Sequence, residues 1–232
     1  MGCFIVAEAG INHMGSRTTM LLLCDAAKRA GADAVKFQAY DTDALIARRG
    51  SGDRDLLKQC ELSDDDLEVI ADYCLREGIK WFASVFDPSQ VERVLRFGAC
   101  ALKIGHAEAG WHELIDTAHN KASSSVPMWI SNPKFRWSPT SSAWQGVHCV
   151  CEYPATSGPR LGVIGSEAFM QPSGFSSHYT DWRIPAAAAL RGASYVEAHL
   201  KLSDSDPEAA WGLSVEDFGK MVRQIREYET WL

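Results

Sequence analysis

The stretch AGADAVKF, residues 30–37, decides how the chain is read, because two further versions of it occur. FGACALKI spans 97–104 and RGASYVEAH spans 191–199. In each, a glycine suited to end a helix is followed five residues later by a charged residue inside an apolar run. Gly31 leads to Lys36, Gly98 to Lys103 and Gly192 to Glu197. The equal offset predicts three strands entering one sheet at the same height, each aiming a charged group at one interior layer. Burying Lys or Glu in an apolar strand costs several kcal/mol unless the group is paired or used. A ring of such residues reads as a polar active-site floor. Ion pairs among these same residues are the plain structural alternative.

Working outward, strand-like and helix-like segments alternate from end to end. FIVAEAGIN, AVKFQAY, KWFASVF, ALKIGHAE, PMWIS, GVHCVCEYP, GFSSHY and YVEAHL supply eight strand candidates. Helical spacing places Met20, Leu23 and Ala27 on one face of 17–30. Ser63 and Asp66 form a capping-box pattern ahead of Leu67, Ile70 and Cys74, and Gly78 reads as the stop. Further helices fit 88–97, 111–119 and 184–191, with a last one from Ser214 carrying Phe218, Val222, Ile225 and Tyr228. Eight β/α units in 232 residues predict one domain over 1–232, a compact α/β (β/α)8 TIM barrel. A doubly wound open sheet would normally show G-x-G-x-x-G after its first strand, and that turn here is Ala9-Gly10-Ile11-Asn12-His13-Met14-Gly15. The connection 132–146 lacks a helical period and 155–174 holds at most one short helix, so the helices after strands five and six are expected to be short or missing. Trp137 and Trp144 are expected to pack over that flank or meet a partner there.

Composition narrows the function. The net charge of -7 argues against nucleic acid as a partner. No apolar run reaches the ~18 residues that span a bilayer, and MGCFIVAEAG lacks the basic segment of a signal peptide. Seven cysteines, an odd number in mostly apolar contexts, read as reduced thiols of a cytoplasmic protein. Cys149 and Cys151 have no second pair to complete a zinc site.

In a barrel the site lies at the C-terminal ends of the strands. Residues two apart share a face, which pairs Lys36 with Gln38, Glu197 with His199, Ser176 with His178 and Glu8 with Gly10. His178 and His199 end neighbouring strands, a plausible seat for manganese, iron or zinc. Lys36 and Lys103, with Ser84, Ser131 and Ser176, make an anion cradle beside it.

AEAGINHMGS, GADAVKFQAY, ALKIGHAE, HCVCEYP, GFSSH and VEAHLKL, in this order, resemble the N-acetylneuraminate (sialic acid) synthase family, and the likeness runs through the last helix. The resemblance implies condensation of phosphoenolpyruvate with an open-chain amino sugar, N-acetylmannosamine-like or related, giving a sialic-type 2-keto-3-deoxy acid and phosphate. It implies a divalent metal, commonly manganese, with magnesium or another ion as substitutes, held by His178 and His199. It gives Glu8 to proton handling near the aldehyde, and Lys36, Lys103, Ser131 and Ser176 to phosphoenolpyruvate, with the Ser84 hydroxyl close by. Glu108 keeps the glutamate after KIG, expected to be catalytic. Tyr153, Asn12, His13 and Gln38 keep family positions, and His106 stands where serine is usual. Departures from the family pattern are Pro133 in the turn after strand five, which removes a backbone donor that could have met the anion, Ser177 for an aspartate, Cys151 for an asparagine, and Ala210 near an expected aspartate that contacts the sugar. Family members also carry a C-terminal antifreeze-like domain that caps the sugar site across a dimer, and the sequence stops at Leu232 before it. A homodimer or a separate capping subunit would have to supply such a cap. A different or smaller aldehyde acceptor is therefore in view. Two alternatives stand beside the synthase: a Schiff-base aldolase or lyase using Lys36 or Lys103, and a degenerate barrel that binds a ligand or partner without turnover.

Overall fold

The computed structural model describes residues 2–122, 126–132, 144–159, 161 and 172–231. The strands are β1 (Phe4–Gly10), β2 (Ala34–Ala39), β3 (Lys80–Val85), β4 (Leu102–Ile104), β5 (Met128–Ser131), β6 (Trp144–Cys149), β7 (Pro172–Ser177) and β8 (Tyr195–Lys201). All pair in parallel in chain order, and β1 also pairs with β8, with Glu8 opposite His199, which closes the barrel. The helices are α1 (Arg17–Ala30), α2 (Thr42–Arg49), α3 (Arg54–Gln59), α4 (Asp64–Glu77), α5 (Pro88–Arg96), α6 (His112–Lys121), α7 (Arg183–Leu190) and α8 (Val215–Glu229). A two-residue strand, β9 (Leu213–Ser214), pairs with β8 ahead of α8. No helix among the described residues is long and apolar enough to cross a membrane.

The expected barrel is the observed one. The three repeat glycines take left-handed backbone, with φ of +88° at Gly31, +81° at Gly98 and +97° at Gly192. A residue with a Cβ resists that region, so each glycine can turn a helix end into the next strand. The Ser63–Asp66 capping box forms, and Gly78 closes α4. The expectation of thin connections after strands five and six falls largely on 133–143 and 162–171, outside the described residues. So do Pro133 and Trp137. Described Trp144 lies in β6, packs against the core and donates from Nε1 to His119 at 3.3 Å. Sequence reading passes over α2, α3 and β9, which are too short to show a period.

Apolar residues fill the lower barrel. Trp129 on β5 stacks on Phe4 at 5.5 Å and lies 4.5 Å from the Tyr195 ring and 5.7 Å from that of Phe82. Above this plug the interior turns polar.

Candidate active site

The site is built in tiers. The lowest comes from even-numbered strands: Lys36 on β2, Lys103 on β4 and Glu197 on β8, all buried. They meet on one carboxylate. Lys103 Nζ reaches Glu197 Oε1 at 2.8 Å and Lys36 Nζ reaches Oε2 at 2.9 Å. The Tyr195 hydroxyl donates to Oε2 from below, and the Ser176 hydroxyl donates to Oε1 at 2.6 Å. The polar floor and the ion-pair alternative are thus the same structure. Burial alone would raise the Glu197 carboxyl, but the two ammonium groups outweigh it and hold the group well below the usual carboxylate range. Burial presses on both lysines too. Lys36, with two carboxylates beside it, ends above the ordinary value, whereas Lys103 ends below.

The next tier comes from odd-numbered strands: Glu8 on β1, Ser84 on β3, Ser131 on β5 and Ser176 on β7. Glu8 Oε2 pairs with Lys36 at 2.5 Å, and Lys36 also donates to Ser84 at 2.9 Å. Oε1 of Glu8 is buried with no hydrogen-bond partner. Burial raises the Glu8 carboxyl, with Lys36 pulling the other way. A carboxyl with one free oxygen and a raised pKa is suited to give or take a proton. Ser131 is buried at the end of β5.

Gln38, His199 and His178 lie higher, and Glu208 joins them from the loop after β8. Glu208 Oε2 lies 3.1 Å from His199 Nδ1, Oε1 accepts from Gln38 at 3.2 Å, and the Ile11 backbone N–H donates to Oε2 at 3.3 Å. Gly10, at φ +51°, leaves room for this carboxylate, since a Cβ there would collide with it. Asn12 holds the same loop, donating to the Leu200 carbonyl and accepting from the Glu208 N–H, both at 2.9 Å. Burial would lower the His199 imidazole, but the carboxylate outweighs it and its pKa lies above the ordinary value.

His178 follows β7 directly, its ring 5.3 Å from that of His199. Its Nδ1 lies 2.9 Å from the Val150 carbonyl. Each imidazole therefore has an oxygen acceptor at Nδ1, which in the neutral ring places the proton there and leaves the Nε2 lone pair for a ligand. This is the support that metal-binding histidines usually have. Among the described residues, no group of three or more His, Cys, Asp or Glu is arranged to hold a metal. Two imidazoles would suit a divalent ion of intermediate softness. The orphaned Glu8 oxygen leaves a further acceptor near them.

The remaining expected residues sit at the rim. The Tyr153 ring, 55% exposed as a residue, lies 4.1 Å from the His178 ring and 5.4 Å from that of Trp211. His106 Nδ1 is 3.3 Å from the Asn132 amide, which also donates to the Cys149 carbonyl at 2.6 Å. Cys151 is exposed, its Sγ 3.7 Å from that of Cys149. Ser177 accepts from the Tyr179 N–H at 3.4 Å, and Ala210 is exposed. Glu108 is not brought to the lysines. Its carboxylate instead takes Arg48 and Arg49 of α2. His13, buried, accepts from the Gly15 N–H at 3.1 Å, and burial lowers its pKa to about 4.

Glu208 is the residue that sequence reasoning missed. A carboxylate was sought near Ala210, and the chain carries it two residues earlier, in DPEAA. The acidic residue in that loop was the available signal.

A closed parallel barrel with charged and imidazole groups gathered at its C-terminal mouth defines the class. Within it, the chain belongs to the NeuB family, whose model matches residues 23–132 and 141–232. It is 28% identical to an N,N'-diacetyllegionaminic acid synthase of Legionella pneumophila, across 99% of this chain and 73% of that protein. It is 29% identical to a pseudaminic acid synthase of Campylobacter jejuni, across 98% of this chain and 74% of that one. In fold it matches the crystal structure of an N-acetylneuraminic acid (sialic acid) synthetase from Leptospira borgpetersenii at a TM-score of 0.88. That match has 24% identity and covers 99% of this chain and 85% of the other.

Proposed function

We propose that the chain catalyses a metal-dependent condensation of phosphoenolpyruvate with an aldehyde sugar of the amino-sugar class, releasing phosphate and a sialic-type 2-keto-3-deoxy acid. The observation that carries this reading is the pair of neighbouring imidazoles, each with Nδ1 held by an oxygen acceptor, beside a buried carboxyl with one free oxygen. The synthase names of the relatives at 28% and 29% identity support the same reaction type.

His178 and His199 are the residues that would hold a divalent ion, manganese first, and such an ion would polarise an aldehyde carbonyl. Lys36, Lys103 and the Ser84, Ser131 and Ser176 hydroxyls orient the enol substrate through its anionic groups. Its methylene carbon then bonds to the aldehyde carbon, and the aldehyde oxygen gains a proton. Glu8, with its raised pKa, supplies that proton or takes one from the water that adds to the enol carbon bearing phosphate. Loss of phosphate leaves the keto group. Gln38 and Glu208 hold the sugar side, with Tyr153 at its rim.

The test is phosphate release from phosphoenolpyruvate, with a panel of amino sugars and smaller aldehydes, in manganese and then in chelator. Acceptor-dependent, chelator-sensitive release is expected. No release from folded, metal-loaded protein would overturn the reading in favour of a binding barrel. His199→Ala should abolish metal binding and release with little loss of fold, and surviving activity would remove the two-histidine site. One observation favours a second reading: burial lowers the Lys103 ammonium, which raises its share of nucleophilic amine. Substrate-dependent inactivation by borohydride would identify that Schiff-base chemistry.

A further inference from the structure

The cations of the barrel interior already have partners. Lys36 is shared between Glu8 and Glu197, and Lys103 is held by Glu197. The third glutamate there, Glu208, pairs with His199. A phosphate monoester brought to this mouth meets Lys36 and Lys103 with their charge already shared with carboxylates.

The rim beside it differs. Arg48 and Arg49 end α2, where two cations also suit the negative end of the helix dipole. Both guanidinium groups converge on Oε1 of Glu108, Arg49 at 2.7 Å. Two positive charges thus share one negative charge. The Arg48 guanidinium lies 4.9 Å over the Trp111 ring, and that of Arg49 lies 5.1 Å over Phe86. The aromatic faces hold the groups in place, which reduces the ordering needed to bind an anion. Their side chains remain 29% and 36% exposed, while the Glu108 side chain is only 1% exposed. Phe86 directly follows β3, the strand of Ser84, and Glu108 follows β4, the strand of Lys103. The pair therefore stands over the strand ends nearest the anion cradle.

We propose that Arg48 and Arg49 form a phosphomonoester subsite, turning their free N–H groups to the phosphate of an incoming substrate while Glu108 anchors them from beneath. Guanidinium groups match phosphate in fork geometry better than the two lysines can. The assignment rests on the phosphoenolpyruvate reading above for which molecule brings the phosphate.

The experiment titrates the whole chain by calorimetry with inorganic phosphate, phosphoenolpyruvate and an N-acetylhexosamine 6-phosphate. Wild type is compared with Arg48→Gln, Arg49→Gln and the double variant. Each single variant leaves Glu108 one arginine, and thermal melting verifies its fold. Each should weaken the phosphate-bearing ligand about tenfold, the scale of one charge-assisted contact. Arg49→Lys, which keeps charge without the fork, should fall between. The ligand that weakens identifies the substrate carrying the phosphate. Equal affinity of wild type and variants for every ligand that binds overturns the subsite. If wild type ignores phosphoenolpyruvate, yet its binding of another phosphate is lost in the variants, the subsite stands and the phosphoenolpyruvate reading falls. Binding of none of the three overturns both.

Discussion

Below the Lys36–Glu197–Lys103 contact, the strands hold an aromatic plug; above it, the same strands carry carboxylates, hydroxyls and imidazoles. The plug around Trp129 is held mainly by shape and apolar surface, with Trp129 Nε1 donating to Gln145 and the Tyr195 hydroxyl donating to Glu197 at its edge. The mouth keeps two ammonium groups out of water on one carboxylate. Replacing such groups by apolar ones of the same shape is often neutral or stabilising, so stability alone does not call for them. Their presence marks the upper half as the part of the molecule organised around chemistry, and the lower half as the part organised around folding.

The sharpest way to break that comparison is Glu197→Gln. The glutamine keeps the shape but leaves Lys103 without its carboxylate and Lys36 with only Glu8. Removing one partner of a buried charge cluster costs about 3–5 kcal/mol. Urea unfolding at neutral pH reads the loss, and a cost under 1 kcal/mol would mean that water already reaches these groups.

His13 sharpens the comparison by pH. Unfolded, it takes a proton below about 6.5; folded, it resists one until about 4. The unfolded state binds more protons across that window, so stability rises with pH there. The contribution is complete above 6.5 and is lost as pH falls towards 4, amounting to about 3 kcal/mol. Stability curves of wild type and His13→Gln should converge as pH falls through the window. Parallel curves would show that His13 titrates normally.

The smallest expected effect lies in the plug. Trp129→Phe should cost about 1–2 kcal/mol by leaving a small cavity and removing the Nε1 donor that lies 3.2 Å from the Gln145 amide oxygen, which keeps the Ser173 hydroxyl at 3.1 Å. It should leave phosphoenolpyruvate affinity unchanged. A changed affinity would mean that plug and mouth are mechanically coupled.

The sequence carried the barrel because its punctuation is local. A glycine in left-handed backbone and the apolar run after it need no partner to be recognised, and the Ser63 capping box is written within four residues. The pairing of His178 with His199 was also legible, since neighbouring strand ends follow from chain order. What could not be read depends on loops. Glu208 reaches the site only because the turn after β8 folds back over Gly10, and nothing in a linear pattern reports that reach. Arg48 and Arg49 sit on an eight-residue helix with only Thr42 and Leu45 buried, too little to show a period. Glu108 was expected to be catalytic only because the family resemblance implies it. The turn after β4 directs it to α2 instead.

The Ile11–Glu208 bond joins residues 197 positions apart, and Arg226 of α8 grips Asp33 at the start of β2. During synthesis the first strand therefore emerges long before the partner that covers its edge and the carboxylate that completes its mouth. Until β8 and its following turn leave the ribosome, β1 offers an unpaired edge to any other chain nearby. The polar mouth is thus among the last things the nascent protein can assemble, and cells that make it quickly have reason to shield that edge.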